Sequence, residues 1–329
     1  MQKPIKIGFI GCGGHSGRHA YIINKMPRDF EIVGALDINQ KVAEKFLRQH
    51  NAIALAAKNP QDFFAIKGMD AVLIGTPHKY HLKFCRDALN ARKHILCEKP
   101  LWEGPQQREG KRIITEAAQR NLIFSSCHLR RFEKEYVYVR EHLAGYIKKF
   151  GKAIEVHFQF FYHEPSTRWK MDDSLLLDHM NHEIDLVHFL FGHSPATFWR
   201  LSHSFDEYRV AGKTQSGLGI WFSGYRRLHS HVFRNELELI FEKGRARIEI
   251  VLNSKSGIVN STLTTQSFEN NRGTVKKFSP HSYNDALFGV MKNFAAAIRD
   301  KRPSYLAPQD LLLNTTICND LVVKEFGTI

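Results

Sequence analysis

Short apolar runs alternate with amphipathic stretches over the first third of the chain. The apolar runs, which predict buried strands, lie at residues 5–10, 31–36, 71–74, 94–97 and 122–125. The stretches between them, with apolar positions at helical spacing, lie around residues 17–25, 40–49, 80–91 and 105–119. Strands joined through helices must run parallel, because each return crosses over the sheet. The pattern therefore predicts an α/β fold, a doubly wound parallel sheet of the Rossmann type.

Beyond residue 126 the pattern changes to period-two runs, which are typical of antiparallel strands. These runs lie at residues 153–162, 197–204, 218–222, 229–233, 237–241 and 246–251. One clear helix, from Ser174 to Phe191 and ended by Gly192, interrupts them, and helical stretches at 283–298 and 309–324 follow. This part of the chain predicts an α+β domain with an open, mostly antiparallel sheet.

The length of the chain, 329 residues, suits two domains of ordinary size. We expect a Rossmann domain over residues 1–125 and the α+β domain, for substrate binding and oligomerisation, over residues 126–329. The C-terminal helices, residues 283–326, are candidates to pack back on the first domain.

Composition and charge narrow the class of partner. Hydrophobic residues make up 43% and charged residues 24%, as in soluble globular proteins. The net charge of +14 arises from 47 Lys and Arg against 33 Asp and Glu, and the basic residues are scattered rather than gathered in a stripe. This distribution favours steering of small anionic molecules over nucleic-acid binding. No apolar run approaches the roughly 18 residues of a membrane span, and the start lacks a signal-peptide pattern, so we expect a cytoplasmic protein without a membrane partner.

The five cysteines are Cys12, Cys85, Cys97, Cys127 and Cys318. They lie far apart and without zinc-like pairing, which indicates reduced thiols rather than a disulfide framework. We expect no metal site.

A glycine-rich segment, Gly11 to Gly17, follows the first strand directly and opens a helix. Glycines there let the backbone approach a pyrophosphate, whose charge free N–H groups and the helix dipole hold. Alone, the motif also describes a turn without a ligand. Asp37, twenty residues beyond Gly17, favours the ligand, because its carboxylate accepts hydrogen bonds from ribose hydroxyls and repels a 2′-phosphate. Since no arginine follows Asp37, NAD is favoured over NADP.

Two further strand ends carry polar residues where open α/β sheets bind their ligands. Thr76-Pro77 follows one strand, and Glu98-Lys99-Pro100 follows the next. A lysine that leaves a buried strand can be desolvated, which lowers its pKa and suits it to proton transfer or to polarising a hydroxyl. Taken singly, Lys99 favours the interpretation of a surface lysine over that of a catalytic one; its flanking residues favour the catalytic role.

The mid-chain helix has a polar face and an apolar face. At 100° per residue, Asp178, His182 and Asp185 share one side, opposite the side of Met180 and Ile184. Asp178 lies one turn before His182, so it can orient the imidazole and stabilise its charged form. The alternatives are a structural buried histidine, or a metal site that also uses His179.

Taken together, these segments resemble the Gfo/Idh/MocA oxidoreductase family. The shared features are Gly11-Cys12-Gly13 with His19, Thr76-Pro77 with His81, Glu98-Lys99-Pro100-Leu101, Asp178-x-x-x-His182-x-x-Asp185 and, more loosely, Arg130-Arg131-Phe132-x-x-x-Tyr136. They occur in the family's order between residues 5 and 192, and the C-terminal pattern of two helices interrupted by prolines is also similar.

The resemblance implies roles for particular residues. The catalytic residues would be Lys99, Asp178 and His182. The cofactor-binding residues would be Gly11, Cys12, Gly13, Gly14, His15, Ser16, Asp37, Thr76, Pro77, His81, Glu98 and Lys99. The substrate-binding residues would be Lys99, His163, Arg168, Trp169, Asn181 and His182, with Arg130 as a further candidate.

Three departures from the family pattern qualify these roles. His15 stands where the family usually has an aliphatic residue under the nicotinamide. Asp172-Asp173-Ser174 replaces a glycine-rich turn before the mid-chain helix, and Met180 replaces a frequent glycine. The last change narrows the expected substrate space, so no particular sugar specificity transfers from the family.

The resemblance implies NAD-dependent hydride transfer to or from a secondary hydroxyl of a sugar, cyclitol or sugar-derived acid. Two other classes stay open: a redox-neutral lyase or glycosidase that retains its NAD, and a regulatory protein that binds sugar and NAD without turnover. We also expect a homodimer or homotetramer. This prediction of an oligomer rests on apolar strand residues of the open sheet, which are expected to be buried against a second copy of the chain. These residues are Phe158, Phe160, Trp199, Trp221 and Phe222.

Overall fold

The computed structural model describes residues 3–102, 104–163, 174–194, 196–226, 233–253, 255–306 and 308–323. The chain divides into two compact units. The first unit contains residues 1–129 and 287–316, and the second contains residues 130–286 and 317–329.

The first unit is built on a parallel sheet. Its strands, in chain order, are β1 (Ile5–Ile10), β2 (Phe30–Leu36), β3 (Leu55–Ala57), β4 (Ala71–Ile74), β5 (His94–Cys97) and β6 (Phe124–Ser126). They lie side by side in the order β3-β2-β1-β4-β5-β6, and every pairing is parallel. The central strands are buried along their length, since helices cover both faces of a doubly wound sheet. The predicted Rossmann fold is confirmed.

The connections between these strands carry the helices of the first unit. They are α1 (Gly14–Asn24), α2 (Gln40–Gln49), α3 (Pro60–Phe64), α4 (His81–Asn90) and α5 (Gln107–Gln119). The sequence pattern placed the start of α1 near Gly17, three residues too late, because glycines contribute no apolar signal. It also missed β3 and α3, which are too short to show a period.

The second unit is built on a mostly antiparallel sheet. Its strands are β7 (Ala153–Tyr162), β8 (Ala196–His203), β9 (Glu207–Thr214), β10 (Gly219–Arg226), β11 (Phe233–Phe241), β12 (Gly244–Asn253), β13 (Ile258–Ser267), β14 (Gly273–Lys277) and β15 (His281–Ser282). Their order is β14-β13-β12-β11-β7-β10-β9-β8, with β15 beside β13. Only the β7–β10 pair among these described strands is parallel. The predicted strand at 229–233 falls outside the described residues except for Phe233.

Two helices pack on this sheet and form the core of the second unit with it. They are α6 (Lys134–Phe150) and α7 (Leu175–Phe191). α7 begins and ends as the sequence predicts. The hydroxyl of Ser174 accepts a hydrogen bond from the Leu177 amide, and Gly192, at a φ of +77°, ends the helix. α6 was not predicted, because the run from Tyr136 to Val139 has the β-branched and aromatic composition of a strand.

One prediction about the sheet faces is wrong. Phe158, Phe160 and Phe222 are each only 2% exposed, because they lie in the core of the second unit. Trp199 and Trp221 are 47% and 40% exposed. Alternation along a strand shows which residues share a face, but it does not show which face the helices cover.

The C-terminal part contains α8 (Asp285–Asp300) and α9 (Pro308–Val323). Leu306 and Leu311 join the hydrophobic core of the first unit, whereas Cys318 and Leu321 join that of the second. All five cysteines are free thiols, as predicted, and the structure buries each of them. Within the described residues, no helix has the length and apolar character that a membrane crossing requires.

Candidate active site

The turn from β1 into α1 needs glycine at its first position. Gly11 has a φ of +82°, and a Cβ there would come within 2.8 Å of the Thr76 backbone nitrogen. The hydroxyl of Ser16 donates to the Gly11 carbonyl at 2.5 Å. The Gly11 amide donates to the Leu36 carbonyl and the Gly75 amide to the Ile10 carbonyl, each at 2.8 Å, so the turn begins directly against the ends of β2 and β4.

The next two glycines leave open space. A Cβ at Gly13 or Gly14 would meet no atom within 4 Å, and both residues are exposed. α1 begins at Gly14, and Gly13 at its N-cap has no side chain to accept the first amide hydrogens. Free amides and the positive end of the helix dipole attract phosphate. The turn therefore fits the pyrophosphate of a dinucleotide.

Asp37 lies at the carboxyl end of β2 and is tied to the same turn. Its Oδ2 accepts a hydrogen bond from the Cys12 amide at 2.9 Å, and its Oδ1 accepts one from the Asn39 amide at 3.0 Å. Burial and the charge of Asp37 raise the pKa of the Cys12 thiol to about 12, so the thiol stays protonated. The following Ile38 is fully exposed and contributes no positive charge.

His81 fastens the ends of β4 and β5 to each other. The ring is 1% exposed, with Nδ1 2.9 Å from the Pro100 carbonyl oxygen and Nε2 2.8 Å from the Thr76 carbonyl oxygen. This predicted cofactor residue thus bonds to the backbone that carries Thr76 and Lys99. Thr76 Oγ1 is buried and has no hydrogen-bond partner among the described residues, so it can receive a polar group of a cofactor.

Glu98 lies directly before Lys99 and is paired with His19. His19 Nε2 is 2.7 Å from Glu98 Oε1, and both residues are buried. Burial alone would raise the pKa of Glu98, but the hydrogen bond from His19 and the positive charges of His15 and Lys99 lower it well below the usual range. The carboxylate therefore stays ionised, and its Oε2 accepts the Lys99 amide at 3.3 Å.

Cys127 lies close to His19 and Glu98 in the structure, although it is distant from His19 along the chain. One donor atom each from His19, Glu98 and Cys127 lies within 4.8 Å of the others, a set that could hold a soft cation. Burial and the charge of Glu98 raise the pKa of the Cys127 thiol well above its usual value. A protonated thiol hydrogen-bonded to Glu98 satisfies the same atoms without an ion.

In the second unit, α7 carries the predicted Asp178, Asn181 and His182. Asp178 lies in the first turn and is half-buried, whereas His182 is 7% exposed. The Asn181 amide nitrogen donates to the carbonyls of Leu177 and Asp178 at 3.0 and 3.2 Å. Its buried Oδ1 has no hydrogen-bond partner in the described part of the chain. Asn181 thus offers a fixed acceptor to a hydroxyl group.

Asp185, the last acidic residue of the helix motif, is held in an ion pair. Arg131 Nε donates to its Oδ2 at 2.8 Å and Arg131 Nη2 to its Oδ1 at 2.7 Å, with Asp185 1% exposed. A bidentate, buried pair fixes both side chains. Asp185 therefore anchors α7 to the segment before α6.

Sequence reasoning missed a buried polar network around His179. Its Nε2 accepts from Arg130 Nη2 at 2.8 Å, and its Nδ1 is 2.9 Å from Glu183 Oε1. Glu183 Oε2 accepts from the Tyr208 hydroxyl at 2.8 Å, and Arg130 also donates to Asn235 Oδ1 at 2.8 Å. Burial and the charge of Glu183 raise the pKa of Tyr208 well above its usual value, so the phenol remains a donor. These groups lock the side chain of His179 in one orientation.

The remaining predicted residues are placed as follows. His163 is half-buried directly after β7, His15 is half-buried in the first turn of α1, and Pro77 is exposed after β4. Arg168 and Trp169 lie outside the described residues, as do Asp172 and Asp173 of the altered approach to α7.

Residues 5–128 match the model of an oxidoreductase family with an NAD-binding Rossmann fold. Over this region the chain is similar to the Gfo/Idh/MocA oxidoreductase family. The resemblance that the sequence motifs indicate is confirmed.

Curated proteins match part of the chain. Glucose-6-phosphate 3-dehydrogenase from Bacillus subtilis is 28% identical over 197 residues, which cover 56% of this chain and 53% of the relative. Inositol 2-dehydrogenase from Salmonella typhimurium is 26% identical over 219 residues, 65% of this chain and 60% of the relative. The matched region thus spans about half the length of these relatives.

Solved structures match over nearly the whole chain. A 3-ketoreductase from Actinomadura kijaniata in complex with NADP and TDP-benzene has a TM-score of 0.81 at 16% identity, over 97% of both chains. Apo scyllo-inositol dehydrogenase from Lactobacillus casei has a TM-score of 0.77 at 19% identity, over 98% of this chain and 96% of the other. At this identity the likeness establishes the two-sheet fold in both units.

Proposed function

We propose that this protein is an NAD-dependent oxidoreductase that transfers hydride between nicotinamide and a secondary hydroxyl of a sugar, cyclitol or sugar-derived acid. The observation that carries the proposal is the glycine turn of a Gfo/Idh/MocA Rossmann domain. Within the described residues, no neighbouring atom lies within 4 Å of the Cβ positions of Gly13 and Gly14, and no side chain caps the first amides of α1 at Gly13. The Cys12 amide of the turn donates a hydrogen bond to Asp37. The names of the relatives, which are dehydrogenases of inositol and of glucose 6-phosphate, support this substrate class.

The cofactor proposal rests on Asp37. Ribose hydroxyls of NAD can donate to its carboxylate, whereas the 2′-phosphate of NADP would meet its negative charge next to an uncharged, exposed Ile38. The other residues proposed to hold NAD are Gly11, Cys12, Gly13, Gly14, His15, Ser16, Thr76, Pro77, His81, Glu98 and Lys99. His81 and Glu98 act in this proposal by holding the backbone at Thr76 and Lys99.

The catalytic roles are assigned to Lys99, Asp178 and His182. When NAD is bound it supplies the hydride acceptor. In the oxidative direction His182 accepts the hydroxyl proton, Asp178 orients the imidazole, and the Lys99 ammonium donates to the hydroxyl oxygen. The charge of Lys99 is one of the causes that lower the pKa of the adjacent Glu98, so an ionised carboxylate lies beside the proposed catalytic lysine.

Substrate binding is assigned to Lys99, His163, Arg168, Trp169, Asn181 and His182. Asn181 has the clearest support, because its buried Oδ1 can accept from a substrate hydroxyl. Arg130 is left out of this group, since its guanidinium already donates to His179 and Asn235. The net charge of +14 favours an anionic sugar derivative.

We propose that the protein is cytoplasmic and forms a homodimer or homotetramer, without nucleic-acid or membrane partners. Trp199, Leu201 and Trp221, all at least 40% exposed on one sheet, are the residues that a second copy would cover. Light scattering that gives a monomer at every concentration would contradict this assembly.

The test is NADH formation from a panel of sugar phosphates, uronates, sugar nucleotides and inositols. A dehydrogenase produces NADH absorbance in proportion to oxidised product. Release of a leaving group without net NADH would indicate the redox-neutral lyase or glycosidase. Binding of NAD and sugar without either product would indicate the regulatory protein.

Variants then test the assigned roles. Lys99→Ala and His182→Ala should each lower kcat by about 10²–10⁴, because each removes a group that moves or stabilises the proton. NAD affinity should stay nearly unchanged in His182→Ala, because His182 is not among the residues proposed to hold NAD. Lys111→Ala, on the exposed face of α5, is the matched control and should keep full turnover. Full activity of Lys99→Ala would reject its assignment.

A further inference from the structure

The second unit encloses a cavity that the proposed hydride transfer does not use. It has a volume of about 80 Å³ and lies between the start of α6, strands β11 to β13 and residues 281–286. Phe132, Phe233, Ile250, Leu252 and Val259 form apolar walls. Two carboxylates at the start of α6, Glu133 and Glu135, line the same space. An apolar pocket with a few convergent charged groups is the usual form of a small-molecule site.

In each of the two carboxylates, Glu133 and Glu135, the Oε2 atom accepts no hydrogen bond from the residues that the structure describes. Glu135 is fully buried; its Oε1 accepts from the Ser261 hydroxyl and lies 3.7 Å from His281 Nδ1. Glu135 Oε2 has no hydrogen-bond partner in the described part of the chain, and the buried Glu133 Oε2 has none there either. Leaving a buried carboxylate oxygen without a donor is costly. The cavity therefore has an unmet requirement for hydrogen-bond donors and positive charge.

Three basic side chains lie nearby, and none is hydrogen-bonded to either Oε2 among the described residues; His281 approaches only Glu135 Oε1, at 3.7 Å. Lys134 also lines the cavity, but its ammonium donates to the carbonyl of Ser279. Arg130 donates to His179 and Asn235, although its charge acts on Glu133. Burial together with the charge of Glu135 nevertheless raises the pKa of Glu133 to about 7, which shows how poorly its negative charge is compensated.

The surroundings fit an organic ammonium better than a metal ion. Mg²⁺ and Ca²⁺ need six or more oxygen ligands, several of them usually water. Here the carboxylates of Glu133, Glu135 and Asp285 share the lining with apolar walls, which leave little room for such a shell of water. Among the described residues, the only three ligand atoms close enough to share an ion belong to His19, Glu98 and Cys127 in the first unit. An ammonium instead presents donors to the carboxylates while its carbon atoms contact the aliphatic wall, and aromatic rings attract it further.

The size of the cavity limits its occupant. Its volume is about half that of the ~150 Å³ apolar cavity known to hold benzene. A primary amine with about two to four heavy atoms fits this space, either as a free molecule or as the amino end of a larger body.

We propose that this cavity binds a primary ammonium group, which Glu133 and Glu135 hold by charge-assisted hydrogen bonds. The site lies within the second unit and does not depend on the proposed function. It can therefore stand even if no substrate is oxidised, and fail even if one is.

Calorimetric titration of the unmodified 329-residue protein with ethanolamine tests the proposal. Ethylene glycol, which has nearly the same shape but no charge, is the reference probe. Ethanolamine should bind at least about tenfold more tightly, since hydrogen bonds to a buried charge exceed those to a neutral group. A second comparison, of glucosamine with glucose, shows whether the ammonium belongs to a free small amine or to a larger molecule. If glucosamine binds and neither glucose nor ethanolamine does, the ammonium belongs to a larger molecule such as an amino sugar.

Conservative variants identify the residues. Glu135→Gln and Glu133→Gln should each weaken ethanolamine binding about 10- to 100-fold, because each removes one negative charge without a change of shape. The side-chain amide introduced by Glu135→Gln still offers an oxygen to the Ser261 hydroxyl. Glu141→Gln, an exposed position on the same helix, is the matched control and should bind as the unmodified protein does.

The proposal is overturned by any of three results. One is that neither amine binds more tightly than its neutral counterpart in the unmodified protein, a comparison that needs no folded variant. Another is amine binding that both folded glutamine variants retain. The last is binding of Mg²⁺ or Ca²⁺ that requires both glutamates while the amines do not bind, which would make this a metal site.

Discussion

The buried pair between His19 and Glu98 permits a quantitative test of how the strand end before Lys99 is held. His19 is 1% exposed, and its Nε2 lies 2.7 Å from Glu98 Oε1. In His19→Phe the ring volume stays, but the carboxylate of Glu98 keeps only weaker donors, the Lys99 amide at 3.3 Å and the Cys127 thiol. Breaking a buried charged pair from one side typically costs about 3–5 kcal/mol, and we expect a loss of about 3 kcal/mol in the free energy of unfolding.

A double-mutant cycle separates the pair from the packing. Glu98→Gln should cost about 1–2 kcal/mol, because an uncharged amide needs less compensation. The double variant should be more stable than the sum of the two single losses predicts, by at least about 1 kcal/mol. Urea unfolding at pH 7, with the slope m compared between variants, measures all three values. Lys83→Met, which breaks the exposed pair with Asp87, is the control and should change stability by less than about 0.5 kcal/mol.

The pH dependence of the free energy of unfolding is a second test of the pair between His19 and Glu98. The folded-state pKa of Glu98 is lowered, so its stabilising contribution is present above the unfolded pKa of about 4.3 and is lost as the pH falls below it. His19→Phe should therefore lose less stability than the unmodified protein between about pH 5 and pH 3. A loss below about 0.5 kcal/mol at pH 7, or an unchanged acid response, would refute the assigned role of His19.

Three further results are expected. Asp37→Ser combined with Ile38→Arg should shift kcat/KM from NAD towards NADP by at least about tenfold, and an unchanged ratio would count against Asp37 as the ribose ligand. Arg131→Met should lower the free energy of unfolding by about 3 kcal/mol because it removes the bidentate hydrogen bonds that Arg131 donates to the buried Asp185 carboxylate; calorimetry that finds no change in Tm would contradict this. The pKa of Glu133 is raised to about 7 in the folded protein, above its unfolded value of about 4.3. Its contribution to the free energy of unfolding is therefore complete below about pH 4.3 and is lost as the pH rises through 7. Urea unfolding should thus show the unmodified protein losing about 1–2 kcal/mol relative to Glu133→Gln between about pH 5 and pH 8, and parallel profiles would exclude this titration.

The sequence predicts the parts of this fold that rest on local signals. Buried strands separated by amphipathic helices require a parallel sheet, and Ser174 and Gly192 mark both ends of α7. The glycine turn and Asp37 are likewise local, since each directly follows a strand. These signals were sufficient for the Rossmann domain and its cofactor turn.

The rest depends on contacts between distant segments. Arg130, His179 and Tyr208 come from a turn, a helix and a strand, so no spacing along the chain shows that they meet. The same holds for Cys127, which reaches Glu98 across the ends of two strands. For Phe158 the predicted period is correct and the predicted face is wrong, because alternation along β7 does not show which face of the sheet is covered by the core of the second unit.

Because all five thiols are buried, their reaction with a thiol reagent can measure local unfolding of the protein. Cys12, Cys85, Cys97 and Cys127 belong to the first unit and Cys318 to the second, and each is at most 8% exposed. A maleimide or a disulfide reagent reacts only with a thiolate that solvent can reach, so labelling rates would follow transient exposure of each region. Mass spectrometry of the labelled peptides would then rank the two units by their local stability, with no residue replaced and no dye introduced beforehand.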